Sequence, residues 1–265
     1  MTRVTCLVLA AALVPASAAA AGAGGGGDTD LARPPLGLTA APAHVSLDGT
    51  GSASVRISNP GNGPVSVDLA RAGFALDLRG APKIVAHGAR RAATSWLTLR
   101  PARFVLLAGA TRAVALSARV PAGAEPGDHD ALVLVTTRPV RRTAVALRMR
   151  IGVVVVVRAP GRVVRRLAIG PLQVHRAHGS CVLELTVVNG GNVTETLSRG
   201  RLRIVLRRGR RRTTLSFEPR DLRPETRGVA EIRYRGPLHG WVTARVRLRA
   251  GSGVAAVTRA YRVRL

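Results

Sequence analysis

The sequence predicts an all-β chain built as two tandem β-sandwich modules behind a cleaved leader. Three observations predict it. Period-two alternation of apolar and polar residues is frequent, whereas helical periodicity is almost absent. The alternating stretches are short and separated by clusters of Gly, Pro and Asn, as in a sandwich. A valine-rich run then stops at Arg158-Ala159-Pro160-Gly161, a Pro-Gly break that divides the chain.

The leader comes first. Met1-Thr2-Arg3 supplies a positive start, and Val4 to Val14 is small and apolar apart from Thr5 and Cys6. Ala16-Ser17-Ala18 and Ala21-Gly22-Ala23 both fit a small-x-small cleavage site, so residues 1–23 are predicted to be a secretory signal peptide. The apolar run is too short to span a bilayer, which takes ~20 residues. Gly24 to Gly27 opens a flexible leader over 24–35, with no strand-to-helix setting for a phosphate-cradling loop.

The first module is expected over 36–158 and the second over 162–265, each an immunoglobulin-like β-sandwich. Ser54-Val55-Arg56-Ile57-Ser58 and Val65-Ser66-Val67-Asp68-Leu69 alternate in the first. Val153 to Val157 reads as a strand buried on both faces, the last of that module. Arg201 to Arg207 and Val242 to Arg249 alternate in the second. Asn59-Pro60-Gly61-Asn62 and Asn189-Gly190-Gly191-Asn192 each follow an early strand, and their turn chemistry predicts the same kind of hairpin in both modules.

With 41 basic and 14 acidic residues the chain carries a formal charge of +27, and Lys83 is its one lysine. Residues 24–159 hold +9 and residues 160–265 hold +17, so the second module is the more cationic. Past the leader Cys181 is alone, which excludes an internal disulfide. No later segment reaches transmembrane length, so the mature chain is expected to lack a transmembrane segment and to be soluble or held at the surface by other molecules.

Catalysis is not expected. No Gly-x-Ser-x-Gly elbow is present. Asp128-His129-Asp130 is the one dense acidic cluster, and it reads as turn and strand-opening chemistry. His175, His178 and Cys181 lack a fourth ligand, so neither a metal nor a cofactor is expected. Asn192-Val193-Thr194 reads as an exposed turn, and Trp96 and Trp241 as core anchors. With aromatics at 3% the chain has few stacking platforms, and no reading element for a duplex is visible, so no specific nucleic acid is expected.

The arginines have a geometry of their own. Arg201, Arg203 and Arg207 share one face of their strand, as do Arg245, Arg247 and Arg249, and as do Arg262 and Arg264. Arg207-Arg208-Gly209-Arg210-Arg211-Arg212 forms a basic tip. One reading is a solvated face that blocks edge aggregation. The other is attraction to an anionic polymer or a partner through Arg201, Arg203, Arg207, Arg208, Arg210, Arg245, Arg247 and Arg249.

Ser95-Trp96-Leu97-Thr98-Leu99, Pro101, Phe104 to Leu107, Gly109-Ala110-Thr111, Pro121-Ala122-Gly123 and Glu125-Pro126-Gly127-Asp128-His129 stand in one order in the first module. This order resembles the peptidoglycan-binding module of the WxL-interacting protein family, and more loosely the modules of periplasmic pilus chaperones. The first resemblance implies a non-enzymatic, secreted cell-surface protein. Its first module would bind peptidoglycan or an associated anionic cell-envelope polymer, and its second another surface protein. The second resemblance implies an assembly chaperone for exported subunits acting by strand addition, with a paired Arg and Lys in its cleft; Lys83 has no evident Arg partner.

Overall fold

A computed structural model describes residues 37–85, 91–139, 148–177, 179–251 and 254–265. The expected signal peptide and the whole leader lie outside those residues. The fold is all-β: among the described residues the one helical element is a 3₁₀ turn at Thr94–Trp96.

Ten strands precede the Pro160 break: β1 (Thr39–Ala41), β2 (His44–Asp48), β3 (Gly51–Ser58), β4 (Val65–Leu76), β5 (Pro82–Val85), β6 (Leu97–Arg100), β7 (Arg103–Leu106), β8 (Thr111–Ala118), β9 (Gly127–Pro139) and β10 (Arg150–Ala159). They form one sheet in the order β1-β3-β8-β6 and a second in the order β2-β10-β9-β4-β5, with β7 also on β4. Alternation drives Val55, Ile57, Val114 and Leu116 of the first sheet against Val67, Val133, Val153 and Val155 of the second, a single buried cluster. Each such side chain contributes about 1.5–3 kcal/mol on burial.

Nine strands follow: β11 (Leu167–Ala177), β12 (Ser180–Asn189), β13 (Glu195–Leu197), β14 (Leu202–Arg208), β15 (Arg211–Leu215), β16 (Arg220–Leu222), β17 (Thr226–Tyr234), β18 (Trp241–Leu248) and β19 (Val257–Arg264). Sheet β11-β12-β17 faces sheet β15-β14-β18-β19, and the pair β13-β16 stands beside them. A separate core unites Leu183, Leu185 and Ile232 with Ile204, Leu206 and Val246.

The two Asn motifs do not close hairpins. β3 and β4 belong to different sheets, and β12 and β13 are likewise unpaired. Each motif is a corner that carries the chain from one sheet to another, built on a buried amide. Asn59 Oδ1 accepts from the Gly61 N–H (3.1 Å), while Nδ2 donates to the carbonyls of Gly63 (2.8 Å) and Leu107 (3.1 Å). Asn189 repeats the pattern with the Gly191 N–H (3.0 Å) and the carbonyls of Val193 (2.8 Å) and Leu222 (3.0 Å). Only a short primary amide offers an acceptor and two donors at that reach.

Candidate functional site

The start of β9 runs directly into the second module. A Cβ on Gly127, at φ +108°, would stand 2.0 Å from the Asn192 carbonyl oxygen, so glycine is what lets the two backbones meet. The Asp128 N–H donates to that same oxygen (2.8 Å). Asn192 is half-buried, and its Nδ2 donates to the carbonyls of Pro126 (3.0 Å) and Arg162 (2.8 Å). The expected exposed turn is therefore part of the joint.

Asp128-His129-Asp130 is buried throughout and does more than open a strand. The Asp128 carboxylate accepts from Arg158 Nε (2.7 Å), from Arg158 Nη2 (3.2 Å) and from the Thr194 N–H of the second module (2.7 Å). That bond holds the Arg158 guanidinium above its usual basicity. The Asp130 carboxylate accepts from Arg223 Nη2, and the Arg223 guanidinium lies 4.1 Å over the Phe74 ring. Burial pushes the Asp130 carboxyl up to about 6, outweighing the opposing pull of Arg223. The same burial lowers Arg223. His129 stacks on Trp96 at 4.4 Å and is hydrogen-bonded to the Glu125 carbonyl oxygen (2.8 Å).

Two further contacts lock the modules. Arg91 reaches Glu225 through Nη2 at 2.9 Å. The turn between β4 and β5 leans on β17, which is an edge strand. The Leu78 carbonyl accepts from the Val229 N–H (2.7 Å) and from Arg220 Nη1 (2.7 Å), while Arg79 pairs with Glu184 (2.7 Å) and Glu231 (3.3 Å). The first module thus covers part of an edge that would otherwise be open to pairing.

The second sheet of the first module also has a gap. β2 runs parallel to β10, but only over Val154–Arg158. Upstream, β1 has crossed to β3 in the other sheet, with Thr39 opposite Ser58 and Ala41 opposite Arg56. The Val154 N–H donates to the Ala43 carbonyl (2.9 Å), which fixes the side of β10 that faces this lane. By alternation the N–H and C=O groups of Gly152 and Arg150 face the same side. Among the described residues no strand is hydrogen-bonded to them. Met149 and Ile151 at this end of β10 are only partly buried against the core.

The arginines divide. On the outer face of sheet β15-β14-β18-β19 Arg203 stands opposite Arg247, Arg207 lies opposite Arg212, and Arg245 faces out beside them. Arg262 and Arg264 of β19 share that face. Arg201 does not join it, because its Nη1 donates to the buried Glu195 carboxylate, which Arg165 also holds at 2.7 Å. Arg208 is turned to the His239 carbonyl, Arg210 lies in the β14–β15 turn and Arg249 just past β18. Trp241 is no core anchor: it is 55% exposed on the cationic face, with Arg262 4.8 Å over its ring. The signal was present, since Val242, Ala244, Val246 and Leu248 point inward and Trp241 must alternate with them. His175 and Cys181 sit on β11 and β12, His178 lies outside the described residues, and no group of metal-ligating residues is found among the described residues. No described helix is long and apolar enough to cross a membrane.

No known protein family matches the sequence, and no curated protein matches it. Solved structures do follow its course over both modules. A chaperone–tip adhesin complex of CFA/I fimbriae biogenesis gives a TM-score of 0.48 at 12% identity, covering 84% of this chain and 98% of that one. The class 5 fimbriae chaperone CfaA gives 0.47 at 14%, covering 86% and 100%. The E. coli chaperone DraB gives 0.44 at 15%, covering 87% and 99%. At these values the likeness is to the fold alone.

These findings overturn the expectation that the first module binds peptidoglycan or an associated polymer, and they lend no support to wall association or to the WxL-interacting resemblance. No family matches, and the similar structures are chaperones. The residues that carried the resemblance are also spent inside the fold. Leu97 and Phe104 are core, Trp96 packs on His129, and Asp128 ties the modules together.

Proposed function

We propose that this chain is an exported, non-enzymatic assembly chaperone that holds an extended segment of another exported protein by strand addition to β10. In this reading residues 1–23 direct export, and the modules at 36–158 and 162–265 act as one bracket. The observation that carries it is the vacated lane beside Arg150 and Gly152, where backbone groups face out and no described strand pairs with them. Main-chain hydrogen bonds would give the affinity and alternate side chains the selectivity. Gly152 presents no side chain to obstruct the approach, and Met149 and Ile151 offer partly exposed apolar contact at the same place. The buried Asp130–Arg223 ion pair and the Asp128–Thr194 hydrogen bond between the modules support a rigid bracket rather than two beads on a string.

The test is binding of a labelled peptide of alternating valine and threonine with charged ends, read by fluorescence anisotropy. Arg150→Pro removes one lane-facing donor at the first residue of β10, where proline is tolerated. It should weaken binding about fivefold, the worth of one hydrogen bond of ~1 kcal/mol. No binding by the unsubstituted protein, or equal binding by the variant, would sink the reading.

A further inference from the structure

The cationic face stands apart from the β10 lane and has its own chemistry. None of β14, β15, β18 or β19 contains an acidic residue. The outward arginines form a two-dimensional array. Arg212, Arg207 and Arg262 run across the sheet through Thr243, Arg203 stands beside Arg247, and Arg245 lies between the two rows. With strands ~4.8 Å apart and side chains of one face ~6.6 Å apart, the array covers roughly 14 Å by 13 Å between its outermost Cα positions. At its margin Trp241 lies open, beside a shallow hollow of about 440 Å³ lined by Arg207, Arg208, Thr243, Tyr261 and Arg262.

The shape of this array selects among anionic partners. An extended acidic chain would follow one row and leave the others unneutralised. A globular partner would put its aromatic anchor at the centre of the contact. Here the one aromatic on the face is at the edge, and the centre holds Arg245 between the small aliphatic side chains of Val205 and Ala260. A plane of anionic headgroups meets every row at once, and an indole at the rim suits the boundary between headgroup and acyl chain. We infer that the outer face of sheet β15-β14-β18-β19 docks on the headgroups of an anionic lipid bilayer, with Trp241 at the interface. The arginine stems would lie along the sheet while the guanidinium groups meet lipid phosphates. Docking there leaves the β10 lane untouched, so the two sites work independently.

The experiment is co-sedimentation with vesicles of phosphatidylcholine alone and of phosphatidylcholine with an equal part of phosphatidylglycerol, joined to tryptophan emission. The protein should pellet with the anionic vesicles only, and its emission should shift to the blue. The shift should vanish in Trp241→Phe. Changing Arg203, Arg207, Arg245 and Arg247 together to Gln should lower partitioning by about three orders of magnitude, since each surface-bound arginine is worth ~1 kcal/mol. Those positions are exposed, so the variant should fold, which its peptide binding at β10 would verify. Arg150→Pro should leave vesicle binding unchanged. Equal binding to neutral vesicles, indifference to the fourfold change, or tighter binding to soluble polyglutamate with no emission shift would each overturn the inference.

Discussion

The two modules bury their inner faces by the same alternation and differ in what they turn outward. In the first, Leu132 and Val156 face away from their own core yet are buried, and at that end of the sheet Asp128 and Asp130 meet Thr194 and Arg223 of the second module. In the second, the outward positions of β14 and β18 are Arg203, Val205, Arg207, Trp241, Thr243, Arg245 and Arg247, and all but the half-buried Val205 are exposed. The lesson is that the out-facing half of an alternating strand reports what lies over the sheet. Fully buried valine and leucine there mean cover, and a run of exposed arginine there means open solvent or a charged partner.

If that contrast is right, the joint over the first module should carry the largest energies. Asp128→Ala leaves the Arg158 guanidinium and the Thr194 N–H without their acceptor. Asp128 is buried but the Arg158 side chain stays 37% exposed, so the loss falls at the lower end for a buried pair, about 3–4 kcal/mol. It should also separate the two modules, so that calorimetry resolves two transitions where the unsubstituted protein gives one. An unchanged single transition would mean that the modules are not coupled through β9.

Asp130 offers a smaller effect with a defined direction. Its carboxyl titrates near 6 in the folded chain, above its unfolded value of about 4. Between those values the folded state holds a proton that the unfolded chain has released. Stability therefore falls as the pH rises from about 4 to about 6, by about 3 kcal/mol, and is level above that window. Asp130→Asn should remove the slope. Chemical denaturation across that range checks it, and stability that rises through the window would show that Arg223 outweighs burial.

What the sequence made legible is what alternation and turn chemistry encode locally. The inward faces of β14 and β18 could be read residue by residue, and Trp241 could have been placed outside by the same rule. The two Asn corners were visible as turns, but not as crossings between sheets, because nothing local says which strands will pair. The joint was hidden for a similar reason. Asp130 and Arg223 are 93 positions apart, and no periodicity links them. The lane beside β10 was hidden more deeply, since it exists only because β1 leaves for β3 before β2 begins.

The smallest effect sharpens the contrast from the other side. Arg203 and Arg247 are direct cross-strand neighbours, and like charges so placed destabilise a sheet by ~0.2–1 kcal/mol. On a covered sheet such a pair would have been offset by a neighbour, but here nothing acidic shares the four strands. Arg203→Gln should therefore raise the melting temperature slightly at low salt. The gain should disappear near 1 M salt, where the Debye length falls to ~3 Å. Arg56 of the first module faces Ala113 rather than another charge, so Arg56→Gln should give no such gain. Thermal melts of both variants at two salt concentrations make the comparison. A loss of stability in Arg203→Gln would mean that the stem of the arginine matters more than its charge, and that the face is less repulsive than its pairing register implies.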